Sequence, residues 1–178
     1  MAESGSGAPA PTDRDIVIIR EFDAPRQLVW DAWTRPEHLA RWWGPRVFTN
    51  PVCELDVRPG GRFRIVMRAP DGTDYPMSGV YREVVPPERL VYTNDLSGQP
   101  EAWMDMLNDA RGTPRGTPVD DSVVTVTFVE REGRTTVTIS TRFASAAEAQ
   151  AFRRMMMVEG WTESLVKLAA LLAGGGGR

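Results

Sequence analysis

The alternation of apolar and polar positions changes period twice along this chain, and those two changes divide it into its elements. After Asp15 the run IVIIREF is a strand rich in β-branched residues, and Pro25 is placed for the first turn of a helix. That helix carries Leu28, Val29, Ala32 and Trp33 on its apolar side. Thr34 and Glu37, with Pro36 between them, form a capping-box signature that opens a second short helix, PEHLARWW, closed by Gly44-Pro45. Beyond Pro45 the period becomes two and stays so for about a hundred residues. Val47 to Val57 is a strand broken by Pro51, which fits only an edge or a bulge. Phe63, Ile65 and Met67 alternate with Arg62, Arg64 and Arg68, and Met77, Gly79 and Tyr81 alternate with Ser78, Val80 and Arg82. Pro59-Gly60-Gly61, Pro70-Asp71-Gly72 and Pro86-Pro87 supply the corners, and Leu90 to Asn94 returns as a strand. Val124, Val126 and Phe128 belong to one further strand, and Val137, Ile139, Thr141 and Phe143 to another, joined by a tight turn at Glu132-Gly133.

At Ser145 the period returns to helical. Ser145 to Ala173 reads as one helix of about 40 Å, opened by the Ser145/Glu148 pair and stopped at Gly174. Val158, Trp161, Leu165, Leu168 and Leu172 fall within a stripe of roughly 80°, which requires a broad apolar surface opposite. Phe152, Met155 and Met156 point away from that stripe and form a second apolar face. Two partners suit it: residues 96–120 folding back as a lid, which is the preferred reading, or a second copy of the chain in a symmetric homodimer. The 96–120 segment interrupts the strand rhythm with Pro, Gly and Thr around AWMDML, where Trp103, Met106 and Leu107 share one side of a helical turn. The predicted order is strand, two short helices, six strands and a long helix. This is an α+β fold in which about seven antiparallel strands curl around the C-terminal helix and enclose a volume.

Composition narrows the function classes. A chain of 178 residues with 42% hydrophobic and 25% charged residues is an ordinary single globular domain. A formal net charge of -3 and a pI near 5.3 give no basic footprint for nucleic acid. Residues 1–14 read as a disordered tail without signal-peptide features, 15–173 as the domain, and 174–178 as a flexible end. The longest apolar run, near Leu165 to Ala173, is interrupted by Lys167 and too short to span a bilayer. Cys53 is the lone cysteine, so no internal disulfide forms, which fits a cytoplasmic setting.

The stretches DAPRQLVWDAWTRPEHLARWWGP, RPGGRF, SGVYREVVPPERLVYT and EGWTESLVKLAALL, in that order, resemble the START-like (SRPBCC) superfamily. Within it they resemble the branch named after the activator of the heat-shock protein 90 ATPase. The likeness runs from about Asp15 to Leu172. It implies a helix-grip fold, a curved sheet gripping a long C-terminal helix. Because the superfamily holds lipid and hormone carriers, polyketide cyclases and aromatases, and chaperone-associated proteins, the resemblance does not fix a reaction. It implies as candidate partners a small apolar ligand or a chaperone in a stress response. Residues 96–120 are longer than the usual connection.

Candidate chemistry is sparse. His38 is the only histidine and reads as an exposed helix residue rather than a base. One His and one Cys are too few for a zinc site, and Cys53 reads as a small buried hydrophobe. Gly60-Gly61 is a hairpin turn rather than a phosphate cradle, and no nucleophile elbow or dinucleotide fingerprint is present. Glu54, Asp56, Glu101 and Asp105 read as solvated carboxylates, and Arg62, Arg64 and Arg68 as an exposed sheet face. No catalytic constellation, metal set or cofactor motif emerges, which favours binding over catalysis. A set of aromatic and sulfur-bearing residues is suited instead to an apolar ligand: Trp43, Met67, Met77, Trp103, Met157 and Trp161. Tyr81, Tyr92 and Asn94 are expected to add the few polar groups such a site needs. For Trp33, Trp42, Trp161 and Leu165 plain core packing is the simpler reading, while for Trp103, in a long polar segment with no obvious need of a tryptophan, packing and lining weigh about equally.

Overall fold

The computed structural model describes residues 9–174, so most of the two expected tails, 1–8 and 175–178, lies outside the described residues. Its elements are β1 (Asp15–Phe22), α1 (Arg26–Thr34), α2 (Pro36–Leu39), β2 (Thr49–Leu55), β3 (Arg62–Arg68), β4 (Asp74–Val85) and β5 (Arg89–Asn94). They continue with α3 (Glu101–Arg111), β6 (Ser122–Arg131), β7 (Arg134–Arg142), α4 (Ala146–Arg154) and α5 (Met157–Ala173). The strands form one antiparallel sheet in the order β1-β7-β6-β5-β4-β3-β2. With β2 at the edge, Pro51 costs no ladder bond, and the pairing register slips between Thr49 and Val52 where it sits. Glu132 (φ 51°) and Gly133 (φ 76°) make the left-handed turn that joins β6 to β7.

Short-range alternation explains the two faces of the sheet. Phe63, Ile65, Met77, Tyr81, Tyr92, Val126, Phe128, Val137 and Ile139 are buried on the concave side. Arg62, Arg64 and Arg68 are exposed, Arg68 in a bidentate pair with Asp74. Trp33 of α1, with Trp42 and Trp43 in the turn after α2, fills one half of the hollow, and α5 crosses it with Leu165 and Leu168. Trp33 and Trp161 stack with ring centres 5.9 Å apart, joining the first helix to the last. A second, smaller core of Ile16, Leu107, Phe143, Ala149, Ala151 and Phe152 lies under α3 and α4.

Four expectations need correction. The Ser145–Ala173 run is two helices, because Met156 adopts a left-handed backbone at φ 65° and ends the first of them. Val158, in the first turn of α5, is 38% exposed instead of belonging to the buried stripe. Residues 96–120 are not a long loop around one turn: α3 occupies 11 of them, capped at its end by Gly112 at φ 71°. The Thr34/Glu37 box does not form, since Arg35 is the N-cap of α2 and Thr34 Oγ1 donates to the Trp30 carbonyl 2.8 Å away. At Ser145 half a box forms: its hydroxyl accepts from Glu148 N at 3.1 Å, while the Glu148 carboxylate turns away to Arg111.

The ordered domain also starts earlier than Asp15. The Asp15 carboxylate accepts from Thr12 N and Thr12 Oγ1, and Arg14 Nε donates to the Phe143 carbonyl. Arg142 grips the same carboxylate through two bonds of 2.9 and 3.0 Å, and this holds the Asp15 carboxyl down at about 2 against an ordinary 3.8. A lowered carboxylate stabilises the fold above its unfolded value, and that contribution disappears as pH falls through the folded one. Between pH 4 and pH 2, therefore, the protein is expected to lose about 1 kcal/mol through this group, reduced from the full linkage value by the solvent exposure of Arg142. Urea midpoints across that range should fall less steeply in Asp15→Asn than in the wild type.

Candidate functional site

Between the two cores the interior does not close. A cavity of about 380 Å³ lies there, within the size range of small-molecule sites. Its sheet wall carries Met67 from β3, Tyr75 and Met77 from β4 and Asn94 from β5. Trp103 and Met106 of α3, with Phe152 of α4, form the wall opposite the sheet. Met155, Met157, Trp161 and Ser164 come from the α4–α5 junction and the first turns of α5. The remaining side is the 43–48 turn, with Trp43, Gly44, Pro45 and Phe48. Gly44 is required there on two counts: its φ is 88°, and a Cβ would stand 2.7 Å from Met67 Sδ.

The helix that crosses the hollow is tied to this turn by polar groups at its rim. Arg46 N donates to Glu163 Oε2 at 2.8 Å. Lys167 Nζ faces the carbonyls of Trp43, Gly44 and Pro45 at 3.4, 3.3 and 3.3 Å. Desolvation lowers the Lys167 ammonium from its ordinary value, while Glu163 opposes that shift.

The other rim is held by a buried polar clasp. Arg111 at the end of α3 reaches Glu148 Oε1 at 3.2 Å, with both side chains less than a tenth exposed. The same guanidinium donates to Asn108 Oδ1 at 2.9 and 2.6 Å and to the Thr117 and Pro118 carbonyls at 2.8 and 2.7 Å. One side chain thus gathers α3, the 112–118 loop and α4 into a unit that covers Phe152. Trp103 of α3 packs against Phe152, with the two rings 6.0 Å apart. Met156 stays 60% exposed.

Of the residues expected to bind, Trp43, Met67, Met77 and Asn94 face this cavity from the turn and sheet, and Trp103, Met157 and Trp161 from the helices. Tyr81 and Tyr92 do not. They pack against Phe63, at 5.5 and 5.3 Å between ring centres, beside a separate void of about 10 Å³ also lined by Trp33 and Trp43. Alternation assigned both tyrosines to the correct face but not to the correct half of it, since Trp33 of α1 and Trp42 and Trp43 just after α2 plug their half. Burial raises both phenols well above their ordinary range. Phe48, Tyr75, Leu96, Gln99 and Ser164 were missed as lining residues; only the 1,3,5 parity of Tyr75, Met77 and Gly79 signalled any of them.

Asn94 Oδ1 is buried and has no hydrogen-bond partner. The other polar side chains of the lining are partly committed: Gln99 Nε2 donates to the Pro76 carbonyl at 2.6 Å and Ser164 Oγ to the Gly160 carbonyl at 3.0 Å. His38 is half-buried on α2, rather than exposed, and outside the cavity lining. Cys53 is half-buried, and burial, with a smaller contribution from Glu37, pushes its thiol up to about 11. Among the described residues no group of three or more His, Cys, Asp or Glu side chains is placed to hold a metal ion, and no helix is long and apolar enough to cross a membrane.

The sequence profile of the family described as Activator of Hsp90 ATPase homolog 1-like protein matches residues 23–173. The chain belongs to that family. No curated protein matches it. Among solved structures, the chain is similar to a Nitrosomonas europaea protein at 25% identity, covering 93% of this chain and 98% of the other with a TM-score of 0.76. A Mycobacterium smegmatis protein shares 27% identity over 90% and 91% of the two chains, with a TM-score of 0.74. The AHSA1 protein from Silicibacter pomeroyi shares 26% over 89% and 97%, with a TM-score of 0.65. The helix-grip architecture of this AHSA1-family chain, a curved antiparallel sheet closed by C-terminal helices, is the family's own.

Proposed function

We propose that this AHSA1-family protein binds a small, predominantly apolar or aromatic ligand between the sheet and the α3–α4–α5 layer, without chemical turnover. The cavity of about 380 Å³ carries this reading, because its walls are aromatic and thioether side chains drawn from all three helices and three adjacent strands. Well-packed interiors contain few voids larger than a water molecule. Five of the chain's eight methionines, Met67, Met77, Met106, Met155 and Met157, line this one, and flexible polarisable thioethers adapt to ligands of differing outline. No acid–base pair in the lining supports catalysis.

The test uses N-phenyl-1-naphthylamine, a neutral probe whose emission rises in apolar surroundings, together with thermal melts and mass spectrometry of ligand extracted from the purified protein. Saturation at about a hundredfold over Kd adds about 2.7 kcal/mol to stability, a rise of roughly 5–10 °C in Tm for a chain of this length. Quenching of Trp43, Trp103 and Trp161 should accompany it. A protein whose emission, melting temperature and extract are all unchanged would not have this function.

A further inference from the structure

We infer that the ligand is an uncharged flat molecule carrying at least one N–H or O–H group, and that this group pairs with the Asn94 carboxamide. The inference rests on the binding function proposed above and goes on to name the ligand's chemical class. Three observations lead to it.

No Asp, Glu, Lys, Arg or His is found in the lining among the described residues. Burying an ion without a partner costs far more than the apolar contact of a small molecule returns. Carboxylates, phosphates and ammonium groups are therefore disfavoured, and Lys167 and Glu163 do not rescue them, being engaged with the backbone of the 43–46 turn.

The shape of the lining favours a plane. Trp43 and Trp161 meet edge to face, at 5.2 Å between centres and 80° between planes, so a ring entering beside them presents either a face or an edge to an indole. Thioethers from the sheet wall and from the α4–α5 junction stand around the same space. Methionine sulfur at a ring edge is a favourable contact.

The polar groups then select a donor. Ser164 has spent its hydroxyl proton on Gly160, and Gln99 has spent an N–H on Pro76. Gln99 keeps a second N–H, and Tyr75 brings a hydroxyl to the lining, but among the described residues the one buried side-chain atom of the lining left without any partner is an acceptor, Asn94 Oδ1. A buried acceptor left without a donor is costly, so a ligand that brings one gains both the bond and relief of that cost. An ordinary aromatic hydrocarbon gains neither.

A matched panel tests this by tryptophan quenching on the full chain: naphthalene, 2-naphthol, 2-naphthoate and (2-naphthylmethyl)trimethylammonium at pH 7. The expected order is 2-naphthol about tenfold tighter than naphthalene, with naphthoate and the ammonium compound weaker than naphthalene by about tenfold or more. In Asn94→Leu the preference for naphthol should vanish while naphthalene still binds, and Gln99→Leu should keep most of that preference. If Asn94→Leu does not fold, Asn94→Thr, which retains an acceptor oxygen, replaces it and should keep part of the preference. Tighter binding of the carboxylate or of the ammonium, the latter marking an aromatic cation cage, would overturn the assignment of class while leaving the binding function standing. So would a naphthol preference that survives Asn94→Leu. Failure of all four compounds to bind would remove the binding function itself, and this assignment with it.

Discussion

Arg111→Met is expected to destabilise the protein by about 3–5 kcal/mol, because it removes one half of a buried ion pair and strands the other. Arg111 and Glu148 are both less than a tenth exposed at the side chain, and no other cation pairs with Glu148 among the described residues. Burial already raises the Glu148 carboxyl above its ordinary 4.5, an effect that Arg111 opposes. Without Arg111 the carboxyl rises further. A raised acid contributes stability that is present below the unfolded value and is lost as pH climbs through the folded one. The variant should therefore be more stable near pH 5 than near pH 7, relative to wild type at each pH. Urea unfolding at the two values measures this directly. Adding Glu148→Leu to the variant should recover at least half of the loss, since an apolar pair of similar volume replaces a buried ion pair at little net cost. A single variant with an unchanged midpoint would mean that the clasp holds nothing together.

Trp43→Ala is expected to cost about 3–5 kcal/mol as well, through loss of a buried indole and the space left behind. Trp43 is 7% exposed and touches Trp33, Trp42 and Trp161 at 6.0, 5.5 and 5.2 Å between ring centres. It also lines both the large cavity and the small void beside Tyr81 and Tyr92. Removing the indole joins the two spaces. The truncated protein should consequently gain affinity for pyrene relative to naphthalene, although it is less stable. Trp43→Phe, which keeps a ring in place, should cost about 1–3 kcal/mol and leave the order of the two hydrocarbons unchanged. Guanidinium melts and competitive displacement of N-phenyl-1-naphthylamine read the two effects separately.

Most of the fold was legible because its determinants are local. The parity of Phe63, Ile65, Met77 and Val126 sets the buried face of the sheet, Pro51 marks its edge, and Glu132-Gly133 fixes a hairpin. The site was less legible because it depends on where along a curved sheet each inward residue lies. Met77 and Tyr81 share a parity, yet one faces the cavity and the other an indole-filled wedge. That difference is decided by α1 and α2, elements far away in sequence. The length of α3 was hidden by its polar residues, since Asn108 and Arg111 look solvent-facing until Arg111 bonds both Asn108 and Glu148 of α4. The break at Met156 had no sequence signal at all. A methionine in left-handed backbone, with neither Gly nor Pro beside it, is what tertiary packing imposes against local preference.

That single backbone angle sets the dimensions of the chamber. In an unbroken rod the early face with Phe152 and the late face with Trp161 would diverge around one axis, and no common space could be shared between them. The kink brings both to the same hollow, so room inside this protein is governed by a joint between two rods more than by the bulk of any residue on its walls. Relatives that straighten the joint would trade an accommodating interior for a solid one while keeping every strand in place.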